Sequence, residues 1–137
     1  MLAVPVEIRK SPIHGFGVFA ARDIDKGSVV WMFTPGLDRV VADYALKHAE
    51  PHAREFVMER GFVNPLQPDE WVVCVDEAQF MNFPRRGEDA NTVLGGMLDG
   101  QYLLLAAVNI AAGTEITVPA ESDFDYSRKM EAYGPGH

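Results

Sequence analysis

The chain has 137 residues, 47% hydrophobic and 23% charged, with 20 acids against 12 bases and a formal net charge of −8. That length predicts one domain with its own core, and the acidic balance disfavours nucleic acid, whose phosphates need a basic patch. A single cysteine, Cys74, excludes an internal disulfide framework and a cysteine-rich zinc site.

No apolar run approaches the roughly 20 residues of a membrane span. Residues 1–10 carry Glu7, Arg9 and Lys10, unlike a signal peptide. The reading is a cytoplasmic protein. Its negative charge serves solubility and suits a cationic partner, such as a lysine- and arginine-rich segment. His14, His48, His52 and His137 show no ligand spacing, so no metal site is expected.

In chain order, "AVPVEIR" (residues 3–9) reads as a short strand. "SPIHGFG" is turn chemistry, punctuated by Pro12, Gly15 and Gly17. "VFAA" and "SVVWMF" are β-rich runs, separated by a tight turn at Asp25-Lys26-Gly27. Asp38 can cap a helix through Val41, Tyr44, Ala45 and His48. Pro51 suits the first turn of a second helix, burying Phe56 and Val57 and ended by Gly61. "EWVVCVD" (70–76) is a strand, and "TVLGGML" and "QYLLLAAV" flank Asp99-Gly100, a hairpin signal. "TEITV" is another strand, and residues 124–133 form a terminal helix. The fold class is α+β, mostly β, with one helical insert at about 38–61. Residues 1–133 form one domain and 134–137 a flexible tail.

Three distant stretches carry a resemblance. "HGFGVFAARDIDKGSVV" has a Gly-x-Gly, then Val-Phe-Ala and an Ile-x-x-Gly turn. "QFMN" precedes a loop ending in Asn91, and "AAVNIAAGTEIT" repeats the Ile-x-x-Gly turn before a strand. Together, in that order, they resemble the SET-domain family of protein-lysine methyltransferases over roughly residues 5–118. The resemblance implies a β-clip fold of several short curved sheets with a C-terminal pseudoknot, an exception to the rule against threading. It implies S-adenosylmethionine as cofactor and a lysine-bearing protein or peptide as substrate. Compact members of the family can pair, so a homodimer is an allowed arrangement.

The residues carried over by the resemblance are His14, Gly15, Phe16, Gly17, Phe19, Asn82, Phe83 and Arg85 for cofactor binding. Gly15 and Gly17 lack Cβ atoms, so backbone can approach the cofactor closely. Phe16 or Phe19 can offer an apolar face, and Asn82 both donates and accepts. Arg85 and Arg86 can meet an anionic group, such as the cofactor carboxylate.

The sequence also departs from the family. Phe83 and Pro84 replace the His-Ser that follows the first asparagine, and Asn91 lies about three residues farther on than usual. Thr114 replaces an acid, while Glu115 keeps the next one. The position of the family's catalytic tyrosine falls near Pro119 or Ala120, and neither has a hydroxyl. Tyr126 is the substitute expected in the catalytic role, with Phe124 and Tyr133 as walls of the substrate channel. Three readings follow: an active lysine methyltransferase, a SET-like binding module that keeps cofactor or peptide affinity but has lost catalysis, and a β-clip domain with no methyl chemistry.

Overall fold

A computed structural model describes residues 1–98 and 101–133, with Tyr133 in its backbone only. Strands β1 (Val6–Lys10) and β2 (Phe16–Ala20) pair antiparallel, Val6 opposite Ala20 and Lys10 opposite Phe16. A second sheet has the order β3 (Val29–Met32), β8 (Gln101–Ala106), β7 (Thr92–Leu98), and a third has β4 (Arg39–Ala42), β6 (Glu70–Val73), β5 (Phe62–Val63). Helices α1 (Asp43–Lys47) and α2 (Pro51–Arg60) lie within the third unit, and α3 (Tyr126–Tyr133) follows the strands. This is the mostly-β, several-small-sheet architecture expected from the sequence.

The two Ile-x-x-Gly turns, about 86 residues apart in the chain, face each other. Ile24 and Ile110 exchange backbone hydrogen bonds in both directions at 2.8 Å. Gly27 and Gly113 close the turns at φ +88° and +86°, a region costly for any residue with a Cβ. Both isoleucines are buried in one core cluster with Val18, Ala20, Val30, Ala106 and Ile116.

The segment 114–118 reads as a strand in sequence but pairs only through isolated bridges, because it runs between two different partners. On one side β2 holds it: Ile116 N donates to Val18 O at 2.7 Å and Ala20 N to Thr114 O at 2.9 Å. On the other side loop 82–91 holds it: Val118 N donates to Asn82 O at 3.0 Å and Thr117 N to Asn91 Oδ1 at 2.9 Å. This is the threaded, pseudoknot-like crossing.

Pro51 opens α2 and Gly61 follows its last turn, as their chemistry predicts. Gly61 is needed for space: a Cβ there would lie 2.7 Å from Val57 O and 2.9 Å from Val72 O. Phe56, expected in the core, is 47% exposed. The helix expected from Asp38 begins only at Asp43; residues 39–42 are strand, paired with β6. Their β-branched run is satisfied by that partner, so tertiary pairing overrides the helical spacing. Asp38 is instead buried and accepts from Thr34 N at 2.9 Å and Val75 N at 3.3 Å. β7 and β8 pair up to Leu98 opposite Gln101, while Asp99-Gly100 and the tail 134–137 lie outside the described residues. Among the described residues no helix is long and apolar enough to cross a membrane.

Candidate functional site

Where the three stretches meet, the protein encloses a cavity of about 140 Å³. His14, Gly15 and Phe16 border it from the β1–β2 turn, Met81, Asn82 and Phe83 from the asparagine loop, and Val118, Ser122, Asp123 and Lys129 from the C-terminal segment. Glu59, Arg60 and Gly61 border it from the end of α2, and a further wall is aromatic. Trp31, Phe62 and Tyr102 line it with ring centroids 5.8, 5.9 and 6.1 Å apart. Offset and edge contacts of this kind are the favoured ring geometry. These rings come from β3, β5 and β8, so the cavity sits between the second and third sheets.

Asn82 organises the rim. Its Nδ2 donates to His14 O at 3.0 Å, Phe16 O at 3.1 Å and Glu115 Oε2 at 2.9 Å. The amide therefore ties the turn to the threaded segment and holds its backbone at the cavity edge. Glu115 completes the tie by accepting from Ser11 Oγ at 2.7 and 2.9 Å. Gly17 makes room for this carboxylate: a Cβ there would stand 2.4 Å from Glu115 Oε2. Its missing side chain thus serves an internal clasp. Phe19 is likewise spoken for, with the Arg9 guanidinium 4.4 Å from its ring centroid. Neither Gly17 nor Phe19 borders the cavity. Arg85 braces the turn by donating to Pro12 O at 3.1 Å.

Of the residues expected for a cofactor, His14, Gly15, Phe16, Asn82 and Phe83 come together at the cavity. Tyr126 stands one ring removed from it, packed edge-on against Phe83 with centroids 4.8 Å apart. Phe124 is 67% exposed, and the side chain of Tyr133 lies outside the described residues.

Tyr102, Trp31 and Lys129 are among the lining groups that escaped the sequence reading. Tyr102 is buried and donates its hydroxyl to Ser122 O at 2.8 Å. Burial drives its ionisation above the ordinary tyrosine range, with Asp123 and then Cys74 adding to the effect, so it stays a neutral donor. Trp31 is buried, and among the described residues its Nε1 has no partner at hydrogen-bond geometry; the Cys74 thiol, a weak acceptor, is the group it approaches, and this slightly offsets the effect of burial on that thiol. Lys129, buried in α3, pairs with Asp123 at 2.6 Å. Alternation along β8, with Tyr102, Leu104 and Ala106 all buried, was the available signal for Tyr102. Nothing local marks Lys129.

No family model and no curated relative matches the chain. Solved structures do. Chaetomium thermophilum Polycomb Repressive Complex 2, in an autoinhibited conformation bound to S-adenosylmethionine, matches at TM-score 0.64 and 20% identity, over 94% of this chain and 17% of that one. A humanized mutant of the same complex bound to an inhibitor matches at TM-score 0.63 and 22% identity, over 92% of this chain and 16% of that one. A Plasmodium falciparum protein provisionally named a histone methyltransferase matches at TM-score 0.57 and 16% identity, over 85% and 92%. This chain thus spans about one sixth of the Polycomb chains it is similar to. The likeness is one of fold, and the fold is SET-domain-like.

Proposed function

We propose that this protein is an S-adenosylmethionine-dependent N-methyltransferase acting on lysine in a basic protein segment. The observation that carries the reading is the meeting of the 14–16 turn, Asn82-Phe83 and the 118–129 segment around one aromatic-lined cavity. A neighbour of the same fold is bound to S-adenosylmethionine, and the residues here fit such a group. Phe16 and Phe83 offer flat apolar faces for an adenine. The buried Trp31 N–H, which among the described residues meets nothing better than the weak Cys74 sulfur, would be satisfied by a ligand acceptor. Arg60, which also borders the cavity, supplies a cation for a carboxylate.

When bound, the cofactor would supply an electrophilic methyl on sulfur. The chain's part is to hold a neutral amine in line with it and keep water out. Trp31, Phe62 and Tyr102 make the apolar wall where desolvation favours the uncharged amine. A tyrosine hydroxyl beside the amine comes from Tyr102, which borders the cavity, or from Tyr126, which would have to reach past Phe83. Phe124 and Tyr133 are candidates for the outer channel wall. The net charge of −8 draws a basic segment toward the protein. A reducing cytoplasm suits its lone thiol.

The second reading, binding without turnover, is favoured by one contact. The Tyr102 hydroxyl is already given to Ser122 O, and no hydroxyl stands at Pro119 or Ala120. Calorimetric titration with S-adenosylmethionine and with its demethylated product tests both. Saturable heat is expected; none at millimolar ligand would remove both readings. Radiolabelled methyl transfer to basic peptides then separates them.

A further inference from the structure

A buried ion pair in the wall of a cavity asks for an explanation that one in a packed core does not. Asp123 is 3% exposed and Lys129 4%. The Asp123 carboxylate is fixed without the lysine: Oδ1 accepts from Val63 N and from Asp125 N, each at 2.9 Å. Only Oδ2 is left for the Lys129 ammonium, at 2.6 Å. The same ammonium donates to Gly61 O at 2.5 Å, just past the C-terminus of α2, where the helix dipole favours a cation. The Trp71 ring adds an aromatic face 6.0 Å away. Carboxylate, helix-end carbonyl and indole face thus form a preorganised receptor for a primary ammonium, and Gly61 and Asp123 of that receptor border the cavity.

We propose that this receptor is an ammonium subsite of the cavity, filled at rest by the chain's own Lys129, and that α3 yields it to the lysine side chain of an incoming basic ligand. The occupant is intramolecular and so acts at high effective concentration. It keeps Asp123 neutralised when no ligand is present, which a lone buried carboxylate could not tolerate. Arginine is a poorer guest, since its planar fork does not match one carboxylate oxygen and one carbonyl placed for a single nitrogen. The inference adds a lysine-selective gate to the proposed function. Its test uses no cofactor, so its failure and that of the methyltransferase reading are told apart.

The test is Lys129→Ala in the full chain. Its thermal midpoint is expected to rise with n-butylammonium chloride but not with sodium chloride at equal ionic strength, while the unaltered protein and the double variant Asp123→Asn/Lys129→Ala respond to neither. A lysine-rich peptide is expected to bind Lys129→Ala about tenfold or more tighter than the unaltered protein, because the competing occupant is gone. Equal affinities, or no selective response to the amine, would overturn the proposal. Should the alanine variant fail to fold even with amine present, hydrogen exchange of the unaltered protein decides. Amides of residues 126–133 are expected to exchange faster with the lysine-rich peptide than with its glutamine-substituted version; identical protection overturns the proposal.

Discussion

Phe83 stands edge-on to Tyr126, with ring centroids 4.8 Å apart and planes at 81°. The position that the family resemblance gives to a histidine therefore does packing work here, joining the asparagine loop to α3. Such a pair is worth about 0.5–1.5 kcal/mol beyond its buried area. The contact also separates Tyr126 from the cavity that Tyr102 borders. Tyr126→Phe keeps the ring and is expected to leave the thermal midpoint nearly unchanged. If turnover exists, Tyr102→Phe is expected to slow methyl transfer at least about tenfold, the scale of one lost charge-stabilising or orienting contact. Running both variants side by side assigns the hydroxyl: the larger loss of rate marks the tyrosine at the amine.

The Gly17–Glu115 approach gives a sharper structural test. A methyl at residue 17 would have to displace Glu115 Oε2, Glu115 Cδ 2.8 Å away and Ser11 Cβ 3.1 Å away. Gly17→Ala is expected to destabilise by about 1–3 kcal/mol, the usual cost of overpacking. In a Glu115→Ala background the added cost should fall well below that, since the obstacle is gone. A chemical-denaturation cycle of the four proteins reads the coupling. Additive losses would mean that Gly17 serves something other than room for the carboxylate.

What the sequence made legible is local chemistry. The twin Ile-x-x-Gly turns, Pro51 at a helix start and the strands of 92–98 and 101–106 each rest on neighbours a few residues apart, and each stands in the structure, while of the strand expected over 70–76 only Glu70–Val73 forms. The meeting of Gly15, Phe16, Asn82 and Phe83 was legible only through the order of three motifs. The rest is set by contacts between distant segments. Residues 39–42 read as helix because nothing local announces β6 as their partner. Gly17 and Phe19, expected at a ligand, meet Glu115, far off in the chain, and Arg9, across the strand pair. The floor of Trp31, Phe62 and Tyr102 gathers three strands whose individual patterns look like ordinary core. Nothing local singles out Lys129 and Asp123, and only the docking of α3 beside Gly61 buries their ion pair.

Alkaline pH should expose the cavity wall. Burial first, then Asp38 and Asp76, pushes the Cys74 thiol up from 9.0 to about 12, against a lowering by the amino-terminal charge. A folded pKa above the unfolded one means the thiol's contribution is full below pH about 9 and is lost as pH rises toward about 12. The loss approaches roughly 1.4 kcal/mol per pH unit within that window. Tyr102 acts in the same direction at higher pH. Cys74→Ala is expected to flatten the fall in stability between pH 9 and 11, measured by urea unfolding. At pH 8 the native thiol should resist a disulfide reagent and react only on unfolding.

Asn82 separates the cost of a weakened fold from the cost of a weakened site. Its amide carries two hydrogens yet contacts three acceptors, His14 O, Phe16 O and Glu115 Oε2, so at least one bond is shared. Asn82→Ala removes this donor from all three acceptors, of which Glu115 Oε2 keeps Ser11 Oγ at 2.9 Å, and is expected to cost about 1–3 kcal/mol. Asn91 is the control. Its side chain binds Glu115 O at 2.8 Å and accepts from Thr117 N at 2.9 Å, gripping the threaded segment without touching the 14–16 turn. Asn91→Ala is therefore expected to cost similar stability. The two should part on ligand affinity, because only Asn82 fixes the carbonyls that shape the rim. Calorimetry with the demethylated cofactor product is expected to show a severalfold weaker Kd for Asn82→Ala and little change for Asn91→Ala, at a temperature where both are fully folded. Equal losses would make Asn82 a fold residue alone. Asn82→Asp refines the point: its carboxylate would face Glu115 across the 2.9 Å that the amide now spans, so like-charge repulsion replaces a bond. It should loosen the rim more than alanine does, and added salt should restore little of the loss, since a close, half-buried pair is poorly screened.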